Sequence, residues 1–479
     1  MNDSVPASSK DPSSPRSHPK IGLKIPCYED PGEKGPGQIE IDQDQLTRHI
    51  LVTGTTGAGK STLLRSIIRQ LLAANADNEA AKAGLVIFDF KGDNTVEVVK
   101  RAAIAAGRAD DVRVLSLDSD CGYDFFRGCQ SLADVSEYAN RLVFGCGSMD
   151  RRDDFWTQFR LVLLSAALTW LRINHGERTS FPEWITHAAS WLLCDGVPAE
   201  LKPDLAQLSE RCDAMPHGSP GRIATKHAIQ VIESWDSGMD FRTRANAKAT
   251  LDIALGPLLE PSVLRLFRAA PEQIFDVRAA VESGEILIVS INAFLHPELA
   301  SLVSRCVKAD FYRAVFSRKP GGRFVSLICD EFQLCATTGN PRYDDSHALP
   351  LLRSQNAGVI AATQTVAGID RVIGEVNRRV LLGNFGTLFF MRSTEIEIEA
   401  WARQVCGSTA VEETIREEVR RETPSRFFPE VEKRLVTRRE QRPVCGPGAL
   451  ARLEAGQAFL LQEGRPPIAG PVWIAEPSS

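Results

Sequence analysis

The run Gly54-Thr55-Thr56-Gly57-Ala58-Gly59-Lys60-Ser61, with Thr62 behind it, has the residue types and spacing needed to hold a chain of phosphates. Glycines let successive backbone N–H groups curl around phosphate oxygens where side chains would collide. The lysine neutralises charge on the β- and γ-phosphates, and the serine hydroxyl is a hard ligand for Mg2+. The context is right for this: the run follows the apolar stretch His49–Thr53 and opens a stretch with Leu63, Ile67 and Leu71 at helical spacing. A helix starting at Ser61 adds its dipole to the phosphate site. Residues 54 to 62 are therefore expected to bind ATP, with Ser61 on the metal.

A second element completes that chemistry. Phe324–Cys329 is an apolar run that ends in Asp330-Glu331. An apolar strand with two acids at its tip supplies a second Mg2+ position and a base for the attacking water. Asp330 is expected to hold the metal through its water shell and Glu331 to polarise the water. Gln364 closes another apolar run, Val359–Thr363. A neutral amide beside a γ-phosphate can sense hydrolysis by gaining or losing one hydrogen bond. Arg353 lies eleven residues earlier in a helix-like stretch. An arginine that reaches a neighbour's γ-phosphate would stabilise transition-state charge in trans, although spacing alone favours a plain surface arginine. Asp89-Phe90-Lys91-Gly92-Asp93 reads two ways, as good turn chemistry or as charged groups, Asp89 or Lys91, at the ligand edge of a parallel sheet.

The elements that must position these residues alternate. Short strands are expected at Ile21–Ile25 and Gln38–Ile41, then at His49–Thr53, Leu85–Phe90 and Val112–Leu117, with helices between the last three. That rhythm predicts a parallel α/β sheet, here a P-loop NTPase (RecA-like) domain. Strand signals stop near residue 131, and helical spacing dominates in Phe155–Leu171, Trp184–Leu193, Thr225–Trp235 and Ala245–Leu259. An inserted all-α domain is therefore expected over 131–270, splitting the nucleotide-binding domain into 21–130 and 271–474, with tails at 1–20 and 475–479. In the second part, strands are expected at Glu285–Ile291, Phe324–Cys329, Val359–Ala362 and Thr387–Met391, with a hairpin-like pair near the end. Val411–Arg442 carries both signs of charge and is expected to be a helical, partly exposed arm.

Composition narrows the classes. The chain has 479 residues, 43% hydrophobic and 24% charged, with a formal net charge of -5, which argues against a surface that coats nucleic acid all over. A local basic channel remains open, with Arg318-Lys319, Arg323 and the cluster Arg242, Arg244 and Lys248 as candidates for DNA contact or as ordinary solvated side chains. The eleven cysteines contain no C-x-x-C pair, so neither a metal site nor a disulfide framework is expected, and Cys329 reads as a buried small hydrophobe. The longest apolar run, Leu161 to Leu171, covers eleven residues, against about twenty for a spanning helix. The first twenty residues lack an apolar core, so a signal peptide is not expected. A cytoplasmic location follows as the expectation.

Together these residues resemble the type IV coupling proteins of conjugative DNA transfer (the TraD/TraG group) within the FtsK/HerA family of motors. The likeness runs from about Ile21 to Ile474. It rests on His49-Ile50-Leu51-Val52-Thr53-Gly54, on Asp89-Phe90-Lys91-Gly92-Asp93 (with Phe90 where the group has proline), on Phe155-Trp156, on Cys329-Asp330-Glu331-Phe332, and on Ala361-Ala362-Thr363-Gln364. The resemblance implies an ATP-driven DNA translocase, a homo-hexameric ring with DNA in its pore, and Arg353 as the trans-acting arginine. It implies an all-α domain facing a relaxase and its relaxosome. It further implies delivery of DNA to a membrane-bound secretion-channel component, through which a cytoplasmic chain would sit at the inner membrane. The usual transmembrane helices are missing from the pattern. Two other readings are a nucleotide-switched docking protein for a relaxase or effector, and a HerA-like motor of DNA processing or defence.

Overall fold

The structure, a computed structural model, describes residues 19–28, 37–126, 134–135, 137–139, 142, 155–176, 179–267, 273–338, 344–421, 430–465, 468 and 470–474. The expected tails therefore lie almost wholly outside the described residues, as do the edges of the expected insertion.

Fifteen strands are found among the described residues: β1 (Gly22–Tyr28), β2 (Gly37–Asp42), β3 (Ile50–Thr53), β4 (Gly84–Asp89), β5 (Val112–Leu115), β6 (Cys121–Gly122), β7 (Gln273–Ile274), β8 (Ile286–Ser290), β9 (Val325–Cys329), β10 (Ala357–Thr363), β11 (Thr387–Met391), β12 (Ser408–Arg421), β13 (Glu430–Pro443), β14 (Gln457–Gln462) and β15 (Val472–Ile474). The chain divides into two compact units. One is built chiefly from Arg69–Ile328 and Thr337–Gly358, the other from Leu23–Ile68, Cys329–Ala336 and Val359–Ser479.

In the first unit β9, β4, β8 and β5 are neighbours in that order. Both β4 and β5 run parallel to β8. Every residue of β4 is buried, as a parallel strand covered on both faces should be. Between Phe155 and Leu266 every described element is helical. Ser180 and Glu183 form a capping box that starts the helix Phe181–Leu192, and Asp240 caps Phe241–Leu255. Trp170, Trp184, Trp191 and Trp235 are all fully buried and form the core of this region.

In the second unit the strand order is β2-β1-β15-β14-β11-β3-β10. The central β3 is parallel to both β10 and β11, with Ile50 opposite Ile360 and Thr387. The late strand β14 lies antiparallel to β11 and to β15, so the expected terminal hairpin is present. The chain is thus of the α/β class, with parallel strands at the heart of each unit.

One expectation fails. The charged segment 411–442 is not a helix but most of a two-stranded antiparallel ribbon, β12 with β13. Its register sets Glu413 opposite Arg438, Glu417 opposite Arg434 and Glu418 opposite Lys433. Which residues stand opposite one another is set by the pairing of two segments and cannot be seen in either strand alone.

Candidate active site

The site is assembled within the second unit, at the carboxyl ends of its parallel strands. From the end of β3 the chain turns at Gly54, where a Cβ would lie 2.9 Å from the Cβ of Met391. No other residue fits that approach. At Gly59 φ is +105°, and a Cβ there would meet the Gly456 nitrogen at 3.2 Å. The loop is pinned from three sides by backbone bonds. Gly54 N–H donates to Thr363 O (3.2 Å), Thr55 N–H to Arg392 O (2.8 Å), and Gly456 N–H to Ala58 O (2.9 Å).

Lys60 is buried at 4% exposure, and its ammonium donates to the carbonyls of Gly54 (2.8 Å) and Thr55 (3.0 Å). A buried cation bonded to carbonyls of the loop it serves is poised to exchange them for phosphate oxygens. The next residue, Ser61, begins the first turn of the helix Lys60–Ala73, and its hydroxyl donates to Asp330 Oδ2 at 2.9 Å. The two expected metal ligands therefore meet. Among the described residues no cluster of three or more His, Cys, Asp or Glu could hold a metal alone. A cation held by Ser61 and Asp330 would leave positions for phosphate oxygens and water, which is the manner in which Mg2+ is bound.

Glu331 follows Asp330 in a left-handed backbone conformation, φ 62° and ψ 52°, that costs a residue with a side chain roughly 1–3 kcal/mol. Its carboxylate is 4% exposed and accepts from the Gln364 amide at 2.6 Å and from the Gln333 amide. Gln364 in turn accepts at Oε1 from the Thr56 hydroxyl of the loop, at 2.8 Å. Thr363 donates to Gln333 Oε1 at 2.8 Å. A continuous polar path thus runs from the phosphate loop through the amide of Gln364 to the acid that would activate water. Gly54 to Thr62, Asp330, Glu331 and Gln364 are brought together as their chemistry requires.

Asp89, Lys91 and Arg353 belong to the other unit. Asp89 is 2% exposed and accepts from the backbone of Lys91 and Gly92 (3.2 Å each) and from the Ser290 hydroxyl (3.2 Å). Burial, with Asp93 adding repulsion, pushes its carboxyl up to about 6. Arg353 is exposed and follows the helix Asp345–Leu352.

Four of the six basic candidates serve the fold. Arg318 donates to the carbonyls of Arg323 (2.9 Å) and Asn356 (3.2 Å), and burial lowers its guanidinium to about 10. Arg323 donates to Lys82 O and Glu79 O. Arg244 donates to Asp195 O, Asp236 O and Met239 O, and Lys248 pairs with Asp195 at 2.7 Å. Arg242 and Lys319 are exposed.

Three residues at the site were not picked out from the sequence. Gly456 and Gln333 carry no motif signal. Arg392 follows β11 as a single arginine, and only the pairing of β11 with β3 brings it to the loop.

Fold and site together define an α/β protein with a phosphate-binding loop. Residues 33–118 match the family model of the central domain of the helicase HerA. Among solved structures, the bacterial conjugative coupling protein TrwBdeltaN70 in its unbound monoclinic form is similar, at 18% identity and a TM-score of 0.60. That match covers 92% of this chain and 87% of that one. The plasmid coupling protein TrwB in complex with the non-hydrolysable ATP analogue ADPNP matches at 19% identity and TM-score 0.60, over 91% and 87% of the two chains. TrwB in complex with ADP and Mg2+ matches at 18% identity and TM-score 0.57, over the same shares. At these identities the likeness is one of fold: this chain has the fold of the conjugative coupling proteins. Among the curated proteins compared, none matches. No described helix is long and apolar enough to cross a membrane.

Proposed function

We propose that this chain is an ATPase that moves DNA, a coupling motor handing a relaxase-bound strand to a type IV secretion channel. The observation that carries the ATPase part is the meeting of Ser61 and Asp330 at 2.9 Å beside the bonded series Thr56, Gln364, Glu331. Lys60 would offset charge on the β- and γ-phosphates, and Ser61 and Asp330 would hold Mg2+, which supplies neutralisation of the phosphate charge. Glu331 would take a proton from water while Gln364 registers whether the γ-phosphate is present.

Support for the rest comes from likeness. The fold is that of coupling proteins solved with ADP and Mg2+ and with ADPNP, and one segment matches a helicase domain. On this reading six copies form a ring around DNA, Arg353 reaches the neighbouring site, and the helical region receives the relaxosome. A membrane-bound channel component would hold the cytoplasmic ring at the inner membrane.

A second reading, a nucleotide-switched docking protein, is favoured by the engagement of Arg318, Arg323, Arg244 and Lys248 in the fold itself. ATPase rate and solution mass, measured with and without single- and double-stranded DNA, separate the two. A translocase should hydrolyse several-fold faster with DNA and form a ring on it, losing that stimulation as salt rises. A rate indifferent to both forms of DNA would overturn translocation in favour of docking.

A further inference from the structure

Arg392 is a cation at the phosphate loop that the functional reading leaves without a task. It follows β11, whose Phe390 lies opposite Thr53 in the parallel pairing with β3, so it leaves the sheet at the ligand edge beside the loop. Its main-chain carbonyl accepts from both Thr55 N–H (2.8 Å) and the Thr55 hydroxyl (3.1 Å). These bonds fix the start of the side chain without using any of it. The guanidinium extends to the loop: Nη2 lies 3.8 Å from where a Cβ on Gly57 would stand. It is half-buried, and no carboxylate among the described residues pairs with it. Glu395, three residues on, is engaged elsewhere, accepting from the Thr365 hydroxyl and from the backbone of Val366 and Ala367. A half-buried guanidinium that pairs with no described carboxylate is suited to take an anion from outside.

Gly57 is adjacent to Thr56, whose hydroxyl bonds Gln364 and, through it, Glu331. Since Glu331 is the group that would activate water, this turn of the loop is the one that faces the terminal phosphoryl group. We propose that Arg392 binds the γ-phosphate of the nucleotide held by its own chain, so that each site has an arginine in cis whatever Arg353 contributes from a neighbour. The inference rests on the nucleotide-binding reading and deepens it. A guanidinium on the γ-phosphate distinguishes triphosphate from diphosphate, which the lysine shared between β and γ does less sharply.

Equilibrium binding of ADPNP and of ADP, each with Mg2+, to the full chain and to its Arg392→Ala and Arg392→Lys variants tests this. Arg392→Ala should weaken ADPNP about tenfold while ADP changes by less than about twofold, and Arg392→Lys should recover part of the loss. Retained ADP binding shows that the variant is folded. Equal losses for both nucleotides, or no loss for either, would overturn the assignment and leave the nucleotide site standing. Failure of the unsubstituted chain to bind either nucleotide would instead sink the nucleotide reading, and the role of Arg392 with it.

Discussion

Glu331 is held by two amides, Gln333 and Gln364, and this sets what its replacement should do. Glu331→Gln keeps the size of the side chain and can still bond one amide, so the loop, Lys60 and the Ser61–Asp330 pair stay in place. Only the base is lost. Nucleotide binding should stay within about twofold, whereas single-turnover hydrolysis should fall by 10²–10⁴, roughly the worth of a positioned general base. Turnover close to that of the unsubstituted chain would reassign the base. The left-handed backbone at Glu331 is no better suited to glutamine, so the thermal midpoint should barely move. Apart from Gln333, the residues of this prediction were legible in the sequence, because each lies in a contiguous run whose chemistry is local: glycines before a lysine, acids or an amide after an apolar strand. Arg392 was not. A lone arginine after a strand has no pattern, and its place at the loop follows from β11 pairing with β3 across more than three hundred residues.

Among the elements, the helical region carries a half-buried titratable group with no catalytic task. His187, on the helix Phe181–Leu192, packs edge-on against Trp170 with ring centroids 4.7 Å apart. Its Nε2 finds no hydrogen-bond partner among the described residues. Burial lowers its pKa to about 4, against the weaker pull of Asp204 and with a small push from His175. The charged form is thus disfavoured in the folded state. Between pH 6.5 and 4 the unfolded chain binds the extra proton, so stability falls as pH drops through that window and levels off below it. Above pH 6.5 the group contributes no slope. The loss at the acid end is about 3 kcal/mol in order of magnitude. Asp89, raised to about 6, gives the opposite slope between about 6 and 4, but it is common to both proteins in a comparison. The difference in unfolding free energy between the native chain and His187→Gln should therefore change progressively from pH 7 to pH 4, the native chain losing more. A difference independent of pH would show that His187 is not buried as a neutral ring. Helices such as this one were legible from apolar spacing and caps. The ribbon of β12 and β13 was not, since a run of mixed charge reads as an exposed helix until its pairing with a distant segment is known.

At the scale of the whole molecule, the two compact units are interleaved along the chain, and no local window of sequence contains that division. The change of period near residue 131 suggested a separate helical insertion and gave no sign that strands β4, β5 and β8 fall in the same unit as the helices. Arg353 belongs to this scale, because its proposed role needs a second copy of the chain. Its mount suits presentation outward. The helix before it starts at the Asp344 cap and is anchored by the fully buried Asp345, which accepts from Lys308 Nζ at 2.6 Å and from the Thr337 backbone at 2.7 Å. Arg353 itself, one residue beyond that helix, is exposed. If it serves the neighbour in the proposed ring, Arg353→Ala and Lys60→Ala should each be inactive alone but should complement when mixed. A composite site forms wherever an intact loop on one subunit meets an intact arginine on the next, in about a quarter of the interfaces of a randomly mixed ring at equal proportions. Arg392→Ala mixed with Lys60→Ala should recover nothing, because both residues serve the site of their own chain. DNA-stimulated ATPase activity across mixing ratios reads both cases. Absence of recovery at every ratio with Arg353→Ala would remove the trans role, and recovery with Arg392→Ala would move that arginine to a neighbour's site.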